Sequence, residues 1–258
     1  MNPAAPSKPA HLKALTAIVL LAVLGAVCIA AGLWQLDRAH QREALRLAID
    51  AGRKAPATRL DARHRDAPDW HPALAQGQWA HEWTVLLDNR NDKGRPGFWV
   101  ATPLLLDDTP ETAVLILRGW MPRPEQGDAR APIPAKSGSH TVRGTVLHHV
   151  PRLFDLGTMT GQDHSTLPAD FGRSDDPPRL QNLSIKDLAA ATGLDFLPVV
   201  IEQEAHPDSA LEQDWPGPSL DYHQNYNYAM QWFSFAAIAL IAALLTAWRH
   251  WRRCRRAD

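Results

Sequence analysis

Two stretches without a single Asp, Glu, Lys or Arg set the limits on this chain: residues 14–33, ALTAIVLLAVLGAVCIAAGL, and residues 229–248, AMQWFSFAAIALIAALLTAW. Twenty residues of α-helix rise ~30 Å, one hydrocarbon thickness. A buried core helix is the other home for an apolar run, but it seldom reaches this length without a charge. Both runs therefore predict membrane spans. A cleaved signal peptide is a second reading of the first run, and Lys8, His11 and Lys13 ahead of it suit one. Its apolar length exceeds the ~7–15 residues of a signal core. Val27 before Cys28 is also a poor lipoprotein cleavage context. The segment reads as an uncleaved anchor.

Charge gives the orientation. The ending RHWRRCRRAD places five Arg beside the second run, and such clusters stay in the cytoplasm. Arg38, Arg42 and Arg46 after the first run pull the other way, but a long following domain makes the short-loop count unreliable there. The predicted organisation is a cytoplasmic N-terminus (1–13), a first transmembrane helix (14–33), an external domain (34–228), a second transmembrane helix (229–248) and an Arg-rich cytoplasmic tail (249–258). Between Asp37 and Asp221 there are 27 acidic residues against 20 Lys and Arg, a net charge of −7, and the whole chain is at −1. Neither figure makes a case for nucleic acid. Both cysteines, Cys28 and Cys254, fall outside the external domain, which therefore holds no disulfide and no thiolate metal site. The start is too short and too poor in Arg for an ordinary transit peptide. A bacterial inner membrane with the main domain in the periplasm is the simplest location.

The fold class expected is two transmembrane α-helices flanking one external, mainly β (α+β) domain. The first helix should run on to about Asp50, ended by Gly52 and Pro56. Residues 52–69 read as a linker. Glu82–Arg90 alternates as a strand, with Trp83, Val85 and Leu87 on one face. Phe98–Leu106 is a strand that Pro103 demotes to an edge or a bulge. Asp107–Pro110 is a turn, and Ala113–Trp120 a strand buried on both faces. Residues 121–139 form a long loop, His140–Val150 alternates again, and 155–179 is irregular. Ser184-Ile185-Lys186-Asp187 resembles a capping box before a short helix that Gly193 stops. Leu194–Glu204 carries a strand, and 205–220 is a polar loop. Ala22, Ala26 and Ala30, with Ala239 and Ala243 opposite, are small-residue stripes suited to a helix hairpin.

No phosphate-binding glycine loop, G-x-S-x-G or H-E-x-x-H occurs, and no nucleophile–base pair is visible, so an enzyme is not expected. Ten of the 12 His lie within 34–228, but without ligand spacing. His148 and His149, on one strand, should face opposite ways, and no metal site is expected. Trp34 and Trp232 sit at the outer ends of the two runs, where aromatic anchors belong. Arg90 and Arg118 end apolar strands. Their guanidinium forks suit either a carboxylate ligand or a structural ion pair.

Four runs, in order, resemble the surfeit-locus family of cytochrome c oxidase biogenesis factors: GLWQLDR (Gly32–Arg38), LDNRNDKGRPGFWVATPL (Leu87–Leu104), VLILRGWMP (Val114–Pro122) and NYNYAMQWF (Asn225–Phe233). The resemblance implies a non-enzymatic assembly factor for haem–copper oxidase. Its action would be at insertion of haem a into the catalytic subunit or at stabilisation of that subunit. The catalytic subunit, membrane lipid and haem a synthase are its implied partners. A membrane-anchored interaction scaffold without cofactor is the first alternative, and a tethered periplasmic enzyme the second.

The family pattern has a His three positions before the Tyr of Y-A-x-x-W-F. Here that Tyr is Tyr228, and Asn225 fills the His place. An amide is a poor iron ligand. His223 lies two residues earlier and shares a face with Asn225 if Asp221–Tyr228 is extended. Haem ligation therefore does not carry over directly; if haem a binds, His223 is the expected axial contact, with Asn225, Tyr228, Trp232 and Trp34 around it and Arg118 as a propionate partner.

Overall fold

The computed structural model describes residues 8–125, 132–134, 137–154, 165–174, 176–207, 209–217 and 221–255. The chain divides into two compact units, residues 1–47 with 218–258, and residues 48–217.

Two long helices make the first unit: α1 (Lys8–Arg53), as far as Leu47, and the C-terminal helix, which starts at His223 and ends at Arg255. Both are long and apolar enough to cross a membrane. Val19, Leu20, Ile238 and Leu244 are each more than half exposed, where a soluble core helix would bury them. α1 runs past its apolar segment to Arg53, close to the expected end. The Arg-rich tail is helical to Arg255, and Arg256 to Asp258 lie outside the described residues.

The helices pack through small residues, but not through the alanine stripe expected on α1. Ala22, Ala26 and Ala30 are exposed, whereas Gly25, Cys28 and Gly32 are buried; Gly25 lies against Leu240 and the Ala236 carbonyl, and Cys28 and Ala239 line one groove. A Cβ on Gly32 would stand 2.7 Å from the Phe233 ring. The closest approach thus selects the face that carries Gly25 and Gly32 rather than the alanine face.

The second unit is built on one sheet of eight strands among the described residues: β1 (Thr58–Leu60), β2 (Pro72–Trp79), β3 (Val85–Leu87), β4 (Gly97–Leu106), β5 (Thr109–Pro122), β6 (Ser139–Leu147), β7 (Arg179–Leu180) and β8 (Asp195–Gln203). The strand order is β1-β2-β6-β8-β5-β4-β3-β7, and β2 also pairs with β4. That extra pairing closes β2, β6, β8, β5 and β4 into a barrel. Alternation assigns the faces. Ala73 and Ala75 of β2, Val142 and Val146 of β6, Leu197, Val199 and Ile201 of β8, Val114 and Ile116 of β5, and Leu104 and Leu106 of β4 form the interior. Leu115, Leu117 and Val200 point outward, under a cover that includes Phe171 and Leu188. Leu188 belongs to α2 (Ile185–Thr192). Ser184 Oγ accepts from Asp187 N at its start, and Gly193 ends it at φ 74°. The C-terminal helix is α3.

Several local expectations change. The segment read as a linker contains β1, which pairs in parallel with β2. Its two hydrophobic anchors, Leu60 and Ala67, are buried in the barrel interior cluster, too few to show as a period. Glu82–Arg90 is not one alternating strand: His81–Trp83 is a 3-10 turn, and all three residues of β3 are buried. β4 is not an edge. Pro103 falls where its partner changes from β3 (up to Ala101) to β2 (from Leu104), so the missing N–H costs no ladder bond on that side. His148 and His149 follow β6 rather than lie on it, and His148 pairs with Asp69 and Asp66. Of the loops expected at 121–139 and 155–179, residues 126–131, 135–136, 155–164 and 175 lie outside the described residues.

Candidate functional site

At the end of the helical unit where α3 begins, polar side chains interlock. Asn225, 9% exposed, accepts from Arg42 Nη1 through Oδ1 at 2.7 Å and donates through Nδ2 to Gln35 Oε1 at 2.7 Å. Arg42 Nη1 also donates to the Asp221 carbonyl at 2.9 Å. One turn along each helix, Tyr226 donates to Glu43 at 3.2 Å. Burial, and then this bond to a carboxylate, push the Tyr226 hydroxyl above its ordinary pKa. Arg46 lies against the Tyr222 ring, 5.8 Å from its centroid. The i, i+4 spacing of Arg38, Arg42 and Arg46 was readable, but not that Arg42 faces Asn225.

Five of the six residues collected from the sequence fall in this unit, and Arg118 falls in the strand unit. The five do not share one face. The chain is helical from His223 onward, not extended, so His223 and Asn225 are about 200° apart around the axis. Asn225 turns toward α1, while His223 is exposed and stacks on Tyr222 at 4.2 Å. Tyr228 is 51% and Trp34 59% exposed. Trp232 is half-buried and stands at the rim of an apolar groove of about 330 Å³ lined by Leu24, Cys28, Phe235 and Ala239.

The opposite end of this unit brings together a group not anticipated. His11 Nδ1 lies 3.1 Å from His250 Nε2, and Cys254 Sγ lies 3.9 Å from the same nitrogen. The three ligand atoms lie within 4.8 Å of one another, a donor set that suits a soft metal ion. Arg249, Arg252, Arg253 and Arg255 nearby in sequence oppose a cation there. The His–Cys spacing of one helical turn was visible in the sequence. The third ligand, 239 positions away from His250, was not.

In the strand unit, Arg90 and Arg118 are 4% and 5% exposed. Neither makes an ion pair with an acid among the described residues. Arg90 Nη2 donates to the carbonyls of Pro151 and Gln181, and Arg118 Nη2 to that of Pro134. Their planes stack on Trp99 and Trp79, each 4.5 Å from the ring centroid. Burial lowers both pKa values to about 10. Arg118 is also the extra residue of a bulge: Val100 pairs with Gly119 and Ala101 with Leu117. Gly119 has φ 147°, and a Cβ there would lie 2.7 Å from Leu211 Cβ. The L-R-G-W run thus encodes a bend that redirects the arginine.

The sequence model of the SURF1 family matches residues 22–237. That range takes in most of the chain, including the strand unit and the facing parts of both long helices. No curated protein matches the chain.

Proposed function

This chain belongs to the SURF1 family, the surfeit-locus family involved in cytochrome c oxidase assembly, and from that premise we propose that it is a membrane-anchored assembly factor for that oxidase. The family match carries the reading. In it, α1 and α3 anchor the protein in a bacterial inner membrane through residues 14–33 and 229–248. Their exposed apolar side chains support the anchoring. The arginine cluster after Trp248 favours a cytoplasmic location for both termini and a periplasmic one for residues 34–228. The function is binding and positioning, without catalysis. It assists insertion of haem a into the catalytic subunit, or stabilises that subunit while it is filled.

The residues at the start of α3 do not form a ready haem-iron site. Both amide atoms of Asn225 are taken by Arg42 and Gln35. His223, the one imidazole of the six, turns away from that face. This favours action on the receiving subunit over tight haem carriage. Any axial contact in this reading falls to His223, with Tyr228, Trp232 and Trp34 as aromatic neighbours.

Deleting the gene tests the pathway. Oxidase activity and its haem a signal should fall while haem b enzymes persist, and unchanged spectra and activity would reject the reading. Protein purified from cells making haem a tests the cofactor. A Soret band that His223→Ala removes supports a haem carrier, and no band in either protein supports the scaffold.

A further inference from the structure

One mouth of the barrel holds a cavity of about 130 Å³. Its wall includes inward positions of four strands, Trp79 at the end of β2, Arg118 at the β5 bulge, His140 near the start of β6 and Gln203 at the end of β8, with Pro134 and Leu211 from the loops. Barrel mouths are where this architecture takes ligands, because strand ends supply convergent side chains without breaking the ladder.

Two buried polar atoms of this wall have no hydrogen-bond partner among the described residues: Arg118 Nη1 and His140 Nε2. The rest of the arginine is held firmly. Nη2 is bonded to Pro134 O at 2.7 Å, and the guanidinium lies flat on Trp79. These contacts fix the plane of the fork, but neither supplies a negative charge. The group stays cationic at neutral pH. A buried cation without an anion is costly, and proteins keep one mainly where a partner arrives. The acid nearest to it in the ladder does not serve. Glu202 pairs with Leu117 and alternates with the inward Ile201, so it points out of the barrel. Its charge partner is Arg53.

We propose that this barrel mouth is a carboxylate-binding site, in which Arg118 Nη1 and His140 Nε2 donate to one ligand carboxylate seated beside Trp79. The two unpartnered donors, one guanidinium nitrogen and one imidazole nitrogen, match the two oxygens of a planar monoanion. The cavity, about 130 Å³, takes the carboxylate and a short carbon stem. Trp79 and Leu211 give that stem an apolar wall. A small free carboxylic acid and the carboxylate arm of a larger ligand present the same chemistry. The site stands on its own observations, independent of the oxidase reading.

The test uses the full chain in detergent, labelled with ¹³C-histidine and titrated with sodium propionate at constant ionic strength. Propionamide and sodium chloride are the controls. The His140 signal, assigned by its loss in His140→Gln, should move saturably with propionate and not with the controls. The melting temperature should rise with propionate as mass action requires. Arg118→Met should fold with a melting temperature equal to or above wild type and lose both responses. His140→Gln should raise the half-saturation point, read from the melting temperature, about tenfold, as expected for one charge-assisted hydrogen bond. Across acetate, propionate and hexanoate, affinity that levels off after propionate identifies a small free acid. Affinity that keeps rising identifies the arm of a larger ligand. No saturable shift, an equal shift with chloride, or an unchanged response in Arg118→Met overturns the proposal. If Arg118→Met does not fold, unchanged half-saturation in both Arg118→Lys and His140→Gln overturns it.

Discussion

Arg42 Nη1 lies 2.7 Å from Asn225 Oδ1, joining positions 183 residues apart. The bond ties α1 to α3 just beyond their apolar segments. A charged donor on a buried amide is among the stronger hydrogen bonds a protein makes. The amide's other end is satisfied by Gln35. An imidazole at position 225 would have to meet the same arginine while keeping a nitrogen free for iron.

Asn225→Leu should therefore weaken the helix pair. It leaves the Arg42 fork and the Gln35 carbonyl short of a partner, at a cost of about 2 kcal/mol. Asn225→Asp should be close to neutral, since a carboxylate suits Arg42 and the Gln35 amide can turn to donate. Melting of the full chain, followed by helical circular dichroism, checks the order Asp near wild type, Leu well below.

Glu202 is 7% exposed, and burial raises its pKa to about 7 from an unfolded value of 4.5. The folded state holds the proton more tightly, so this group's contribution is fully present below about pH 4.5 and is lost as pH rises through about 7. Glu202→Gln should melt above wild type at pH 8, by up to about 3 kcal/mol of stability, with the gap closing near pH 4.5. A gap independent of pH would exclude this origin.

His148 is held above its ordinary pKa by its hydrogen bond to Asp69, with Asp66 adding to the effect. Its folded value is raised, so the stabilisation is complete below about pH 6.5 and fades as pH climbs through the raised value. In the Glu202→Gln background, melting temperature should still fall between pH 6 and 8.5, and His148→Asn should flatten that slope. Both side chains are partly exposed, and salt should shrink the effect.

Gly77 marks the place where the barrel closes. It pairs with Leu106 across β2 and β4, and a Cβ there would stand 1.9 Å from the Leu105 carbonyl oxygen. That neighbour is backbone and cannot swing aside. Gly77→Ala should cost about 3 kcal/mol or more, seen as a lower melting temperature and a changed near-ultraviolet spectrum from the tryptophans. A neutral substitution would mean that the strands are further apart than described.

What was legible in the sequence follows from local physics. Two uncharged runs of twenty residues specify two long apolar helices because backbone rise and side-chain solvation are properties of the segment alone. Ser184 and Gly193 bracket α2 because capping is local. Continuous apolar runs announced β5 and β8. Four ordered motifs sufficed for the family. The tertiary structure decided what distant residues do to one another. Alternation shows that Arg118 has a face, but the β2–β4 pairing turns that face into the inside of a barrel, beside His140 and Trp79. The glycines, not the alanines, became the contact stripe of α1, since closeness depends on which face the partner takes. His223 and Asn225 separated because the apolar helix propagates backward to His223, where two residues of helix turn side chains apart and two residues of strand would have aligned them.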